Sequence, residues 1–126
     1  MLSQKQTLLL ASAFGALAVS LGAFGAHALK AILVANGRLD TYELAVRYHF
    51  YHTLALLAVA MLMNKYSGRG LNLSSLLFVI GIVLFSGSLY ALCLLNISSI
   101  AIVTPVGGVF LIAGWLMIFI SVLRNA

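Results

Sequence analysis

The sequence has little charge of either sign and almost none that is negative. Of its 126 residues, seven are Lys or Arg and two are Asp or Glu, so 7% are charged against 63% hydrophobic. Soluble domains are about 25% charged and about 45–50% apolar. A fold of this size buries only about 70% of the surface that its unfolded chain exposes, too little to hide so much apolar side chain. These figures exclude a water-soluble monomer, and also disorder, which needs low hydrophobicity. The remaining solvent is a bilayer. The net charge of +5 comes from scattered single cations. No basic run is interleaved with aromatics, which argues against nucleic acid as a partner. In a membrane chain the cations set topology instead.

Cysteine is nearly absent too. The single Cys93 allows no intramolecular disulfide and no thiolate metal site within one chain. It lies in an apolar run and reads as a small buried hydrophobe. The only acids, Asp40 and Glu43, sit where capping residues belong, not as a catalytic pair. No nucleophile has the partners of a triad, and no glycine loop with a lysine could cradle phosphate. The chain is therefore expected not to be an enzyme, and no cofactor is implied.

What is present is four apolar segments, about residues 7–29, 41–64, 73–95 and 105–123. Each is near the roughly 20 residues that cross a bilayer. Ala26-His27-Ala28 has the look of a signal-peptide cleavage site, but the apolar run before it exceeds the roughly 7–15 residues of such a signal, so a retained helix is expected. With no long linker or low-complexity stretch, residues 1–126 read as one domain, an all-α integral membrane four-helix bundle, with a short amphipathic piece at 29–36. Asn36-Gly37 is a stop signal. Asp40 and Glu43 have capping-box spacing, with Leu39 and Leu44 at the staple positions, so the second helix is expected to start at Asp40. Residues 64–70 form a polar turn, and Thr104-Pro105 fits an N-cap followed by Pro at the first helical position. Tyr42 and Tyr66 stand where interfacial aromatics are expected. Lys5, Lys65, Arg69 and Arg124 fall on one side, against Lys30, Arg38 and Arg47 on the other, which places both termini in the cytoplasm.

Small residues recur at helical spacing. Ala11, Gly15, Ala18, Gly22 and Ala26 share a narrow face of the first helix. Ser74, Gly81 and Ser88 recur every seven residues in the third, and Gly107, Gly114 and Ser121 in the fourth. Such seams let helix backbones approach within lipid. One of them left uncovered would serve a second copy or a partner membrane protein.

The costly polarity is concentrated in residues 43–52. Glu43, Arg47 and Tyr51 form one stripe at four-residue spacing; Tyr48, His49 and His52 form another. Ionisable residues within a span are expensive and mark a functional hypothesis. Arg47 has two readings, an anchor paired with Glu43 or a contact for a lipid phosphate. His49 and His52 have two as well, an interhelical hydrogen bond or a ligand site that His27 would join from the end of the first helix. Deeper in the bundle, Ser86, Ser88 and Tyr90 lie in the third helix, where each hydroxyl is expected to bond its own helix. Trp115 lies mid-membrane, where its N–H needs a partner. Ser86 and Tyr90 are the candidates for that partner.

Several motifs together resemble a known family. They are Gly22-Ala-Phe-Gly25-Ala-His27-Ala-Leu, Ala45-Val-Arg47-Tyr48-His49-Phe-Tyr51-His52-Thr-Leu, Phe85-Ser86-Gly87-Ser88-Leu-Tyr90, and Thr104-Pro105-Val-Gly107-Gly108 followed by Ala113-Gly114-Trp115. In this order and over nearly the whole chain they are similar to the YgdD-like family of small bacterial inner-membrane proteins, a family defined as a domain of unknown function (number 423) with mitochondrial relatives. The resemblance implies a four-helix inner-membrane protein and no reaction. In relatives the position of His49 is often Gln, which turns a ligand reading towards His27, Arg47 and His52. The expected function is that of a non-enzymatic accessory, assembly or scaffold protein acting by helix association in the bilayer. The alternative is a small transporter or channel, or a lipid- or quinone-binding protein, using Arg47, His52 and His27.

Overall fold

The computed structural model describes residues 1–125; Ala126, the last residue of the expected domain, lies outside the described residues. Among the described residues every regular element is helical. They are α1 (Gln4–Ala26), α2 (Lys30–Ala35), α3 (Leu39–Leu62), α4 (Arg69–Leu95), a 3-10 turn (Ser98–Ile102) and α5 (Thr104–Asn125). Among the described residues there are thus five α-helices where a four-helix bundle was expected, the added one, α2, falling within the short amphipathic piece at 29–36. Among the described residues three segments are long and apolar enough to cross a membrane: α1, α4, and the stretch Ser98–Asn125 that contains α5. The helix α3 is as long, 24 residues, or about 36 Å at ~1.5 Å per residue. It is not among the three, because its first fourteen residues carry Glu43, Arg47, His49 and His52.

The helix ends follow local chemistry. Ser3 and Gln6 form a capping box that starts α1 three residues before the expected Thr7: Gln6 Oε1 accepts from the Ser3 N–H at 2.9 Å, and Ser3 Oγ accepts from the Gln6 N–H at 3.3 Å. Gly37 ends α2 at φ +65°. Its N–H bonds Val34 O at 3.1 Å and the Arg38 N–H reaches Leu33 O at 2.8 Å, the two reversed bonds of a Schellman motif. That turn delivers the chain directly into α3, whose N-cap is Arg38. The expected capping box at Asp40 is therefore not formed. An N-cap residue lies just outside the helix, whereas Asp40 already lies in the first turn, where its charge favours the helix dipole. Arg38 instead ties this corner to the far end of α4, with Nε donating to Asn96 Oδ1 and Nη2 to Ser98 Oγ, both at 3.2 Å. Thr104 does not act as a cap either: the first bond of α5 runs from the Gly107 N–H to Val103 O, while Thr104 Oγ1 shares a hydrogen with Ser88 Oγ at 2.6 Å.

The long helices pack as a row. α1 lies on α3, α3 on α4, and α4 on α5, so α3 and α4 are central and α1 and α5 form the edges. The N-terminus, the α3–α4 turn and the end of α5 share one end of the molecule. There Asn72 Nδ2 donates to Leu2 O at 2.7 Å, Thr7 and Ser75 share a hydrogen at 2.6 Å, and Ser67 reaches Asn125. α2 caps the opposite end. The main core joins Leu56 and Val59 of α3 to Phe78 and Ile82 of α4 and Leu111 of α5. A smaller cluster of Leu33, Tyr42 and Cys93 seals the α2 end.

The small-residue seams divide between two interfaces. Gly15 and Gly22 face Thr53 and Val46 of α3, whereas Ala26 is exposed. Gly81 faces Leu111, Gly114 faces Phe78, and Gly107 lies against the backbone of Phe85. At Gly107 the two backbones approach so closely that any side chain would strike main-chain atoms. Gly25 makes room for the Tyr42 ring in the same way. Tyr42 is consequently 1% exposed, with its hydroxyl donating to Leu21 O at 2.5 Å. It is a packing residue, not the interfacial aromatic expected from its position.

Candidate functional site

The polar residues of α3 leave the helix in different directions and do not form one cluster. Arg47 and His52 are five residues apart, about 140° around a helix at ~100° per residue. Arg47 and Glu43 are exposed and line a cleft of about 260 Å³ between α1 and α3, beside Gly22, Gly25 and Ala26. Among the described residues no hydrogen bond or ion pair joins the two, so the expected pairing is not made. His27 caps the end of α1 and is exposed at the same end of the molecule. His52 is buried on the other side, towards α5. Of the three residues favoured for a shared ligand site, His52 therefore faces away from Arg47. Among the described residues no three His, Cys, Asp or Glu side chains converge in a way that could hold a metal ion.

His52 is fully engaged. Trp115 Nε1 donates to His52 Nε2 at 3.1 Å, and His52 Nδ1 lies 2.8 Å from Tyr48 O. Indole N–H only donates and a carbonyl only accepts. The proton must therefore sit on Nδ1, and His52 is a neutral ring with both nitrogens used. Trp115 thus finds its partner in α3, not in Ser86 or Tyr90. This bond bridges α3 and α5 across α4. Around it Tyr48, Tyr51, Phe85 and Trp115 wall a lateral groove of about 510 Å³. Tyr48 packs on Phe85 with ring centroids 4.8 Å apart and stacks on His52 at 5.8 Å. Tyr51 is exposed at the rim.

His49 faces the opposite way. It is 2% exposed, and Nδ1 lies 2.9 Å from the Tyr90 hydroxyl on α4. The Phe14 ring of α1 meets it edge-on at 5.8 Å. Nε2 is buried and has no hydrogen-bond partner. The backbone of Phe14 lies beside the ring. The bond to Tyr90 is the interhelical hydrogen bond that was one of the two readings of His49; its partner, Tyr90, is not legible in the sequence, because the periodicity of one helix does not say which neighbour a face meets.

The serines also differ from expectation. Ser86 Oγ donates across to Ala45 O of α3 at 2.9 Å, not to its own helix. Its neighbour α5 receives a similar bridge from Ser74 Oγ to Gly114 O at 2.8 Å. Ser88 does bond its own helix, at Phe85 O, besides meeting Thr104. In hydrocarbon each of these bonds satisfies a group that no water would reach.

Comparison with known proteins agrees with a membrane chain. A family model described as a protein of unknown function (DUF423) matches residues 21–108. The chain is 45% identical over 109 residues to the UPF0382 membrane protein YwdK of Bacillus subtilis, covering 86% of this chain and 88% of that one. It is 44% identical over 108 residues to the UPF0382 membrane protein SSP2132 of Staphylococcus saprophyticus, with coverage of 86% and 88%. It is 39% identical over 117 residues to the UPF0382 inner membrane protein YgdD of Escherichia coli, with coverage of 93% and 88%. No solved structure matches.

Proposed function

The chain belongs to the DUF423 family of unknown function, and from that premise we propose that it crosses the membrane four times and works without catalysis, as an accessory or scaffold protein that associates through an exposed helix face. The observation that carries this reading is the outer face of α1. The seams named above are taken up by α3 and by the α4–α5 interface, but Ser12, Ala16 and Ser20 recur at four-residue spacing and are all exposed. The two serine hydroxyls bond their own helix at Leu8 O and Ala16 O, both at 2.8 Å. The face is thus apolar in effect and free of unmet polarity, with its small residues set between the exposed Leu9 and Val19. Such a face lets a second backbone approach closely, and close approach is what drives helix association in lipid. Beside it lies a groove of about 500 Å³ between α1 and α3, lined by Ala11, Gly15, Ala16, Leu54 and Leu57, which suits the side chains of an incoming helix. The opposite edge presents bulky Val109, Ile112, Leu116 and Phe119 from α5, a surface suited to lipid chains.

The test is association in mild detergent. The natural sequence should elute as an oligomer or with a partner membrane protein, and Ala16→Leu should dissociate it while leaving helicity intact. A natural protein that is monomeric and alone in both detergent and lipid discs would overturn the reading. In this reading both termini face the cytoplasm, because Lys5, Lys65, Arg69 and Arg124 gather at the end that holds them. The exposed Arg47 supports a second reading, contact with an anionic lipid headgroup in the cleft by Gly22 and Gly25. Arg47→Ala should then lower the share of anionic lipid that co-purifies, and an unchanged share would exclude it.

A further inference from the structure

We propose that the cleft between α1 and α3 beside Arg47 holds the headgroup of a zwitterionic phospholipid with a primary ammonium, a phosphatidylethanolamine, its phosphate on Arg47 and its ammonium on Glu43. The proposal rests on the second reading above for the phosphate contact, and goes beyond it in giving Glu43 a cation to hold.

The cleft carries one charge of each sign. It holds about 260 Å³, and among the described residues Glu43 and Arg47 are its only charged lining. Both are exposed, so both are within reach of an occupant. α1 contributes Gly22, Gly25 and Ala26, which add no polar side chain. Tyr42 lines the cleft too, but its hydroxyl is already spent on Leu21 O. Opposite charges one turn apart on a helix can pair, but these two do not. A purely anionic headgroup would satisfy Arg47 and set its phosphate beside the Glu43 carboxylate, which repels it. An occupant with both signs satisfies both residues.

Their order along α3 sets the orientation of that occupant. Glu43 lies about 6 Å from the start of the helix and Arg47 about 12 Å, at ~1.5 Å per residue. Helical side chains lean towards the N-terminus, and the long arginine stem lets its head rise towards the interface. Glu43 is thus nearer the water at the α2 end, and Arg47 one turn deeper. From tail to tip a phosphatidylethanolamine has the same order: chains, phosphate, ammonium. Below Arg47 the same faces of α1 and α3 continue as the groove lined by Gly15, Val19, Phe50 and Leu54, an apolar course for one acyl chain. This continuity selects a lipid over a soluble phosphoethanolamine. A neighbouring helix in the lower groove would leave the cleft above it open, so the proposal stands apart from lateral association.

The test is lipid retention. The whole protein is moved from discs of equal parts phosphatidylethanolamine, phosphatidylglycerol and phosphatidylcholine into mild detergent, and the lipids that stay bound are quantified by mass spectrometry. Phosphatidylethanolamine should be retained several-fold over both others. Phosphatidylglycerol lacks the ammonium, and the trimethylated nitrogen of phosphatidylcholine has no N–H to give a carboxylate. Glu43→Gln should abolish the preference while phosphatidylglycerol retention holds or rises. Arg47→Gln should lower retention of phosphatidylethanolamine about tenfold, as loss of one charge-assisted hydrogen bond does. Asp40→Asn, an acid at the same end that does not line the cleft, should change nothing. Ala26→Leu, at an exposed position, should fill the cleft and release the lipid with helicity unchanged. Equal retention of the three lipids, a preference that survives Glu43→Gln, or displacement by free phosphoethanolamine would overturn the proposal. Phosphatidylglycerol retained above phosphatidylethanolamine through Arg47 would overturn it and leave the anionic-headgroup reading standing. Retention indifferent to Arg47 would overturn both.

Discussion

Gly107 offers the sharpest test of how the helices meet. A methyl group there would press on main-chain atoms of Leu84 and Phe85, with no flexible side chain to give way. Overpacking of a filled interior costs about 1–3 kcal/mol, and a backbone that cannot rotate aside puts Gly107→Ala at about 3 kcal/mol. The same change at Gly87, on the same helix pair, meets nothing within 4 Å. There the better helix propensity of alanine should leave stability unchanged or raise it by up to about 1 kcal/mol. Gly22→Ala falls between, because its nearest neighbour is the movable Val46 Cγ1 at 3.3 Å. The expected gap between Gly107→Ala and Gly87→Ala is thus about 3–4 kcal/mol, a hundredfold to a thousandfold in the unfolding constant. Reversible unfolding in mixed micelles, followed by the emission of Trp115, measures it. If the two variants differ by less than about 1 kcal/mol, the close α4–α5 approach is wrong and the row of helices with it.

Two further substitutions probe the buried polar bridges. Trp115→Phe keeps the ring contact with Phe78, at 5.4 Å between centroids, but removes the donor to His52. The His52 Nε2 resonance should shift to that of an unbonded acceptor while Nδ1 stays protonated, and no shift would refute the assigned tautomer. Ser86→Ala should cost about 0.6 kcal/mol, the average for an interhelical bond in a membrane bundle. Unfolding in micelles should show that small loss, and a loss above about 2 kcal/mol would mean that Ser86 does more than reach Ala45.

The periodicity of single helices was readable in the sequence; the pairing of their faces was not. The stripe through Ala11, Gly15, Ala18 and Gly22 identifies the side of α1 that meets α3, since small residues at four-residue spacing mark close approach. The exposed stripe through Ser12, Ala16 and Ser20 has a similar helical spacing, and only the row-like packing tells the two apart. Asn36-Gly37 stops α2 because glycine tolerates the positive φ there. The capping pattern at Asp40 misleads, because the turn before it has already started the next helix. The polar cluster shows the same limit. Residues 43–52 do carry the unusual chemistry, but successive members of a helix point to different neighbours. Arg47 faces α1, His49 the pocket between α1 and α4, and His52 the groove towards α5. The partner of Trp115 lay beyond reach for this reason, as it depends on α5 standing within one hydrogen bond of α3.

The central claim is that the outer face of α1 is an association surface. Disulfide formation in native membranes tests it most directly, with Ala16→Cys on α1, Leu116→Cys on the exposed face of α5, and the buried Cys93 as internal background. The account predicts rapid crosslinking through Ala16→Cys, to a second copy or to a partner, and none above background through Leu116→Cys. Equal or absent crosslinking at the two positions would contradict it.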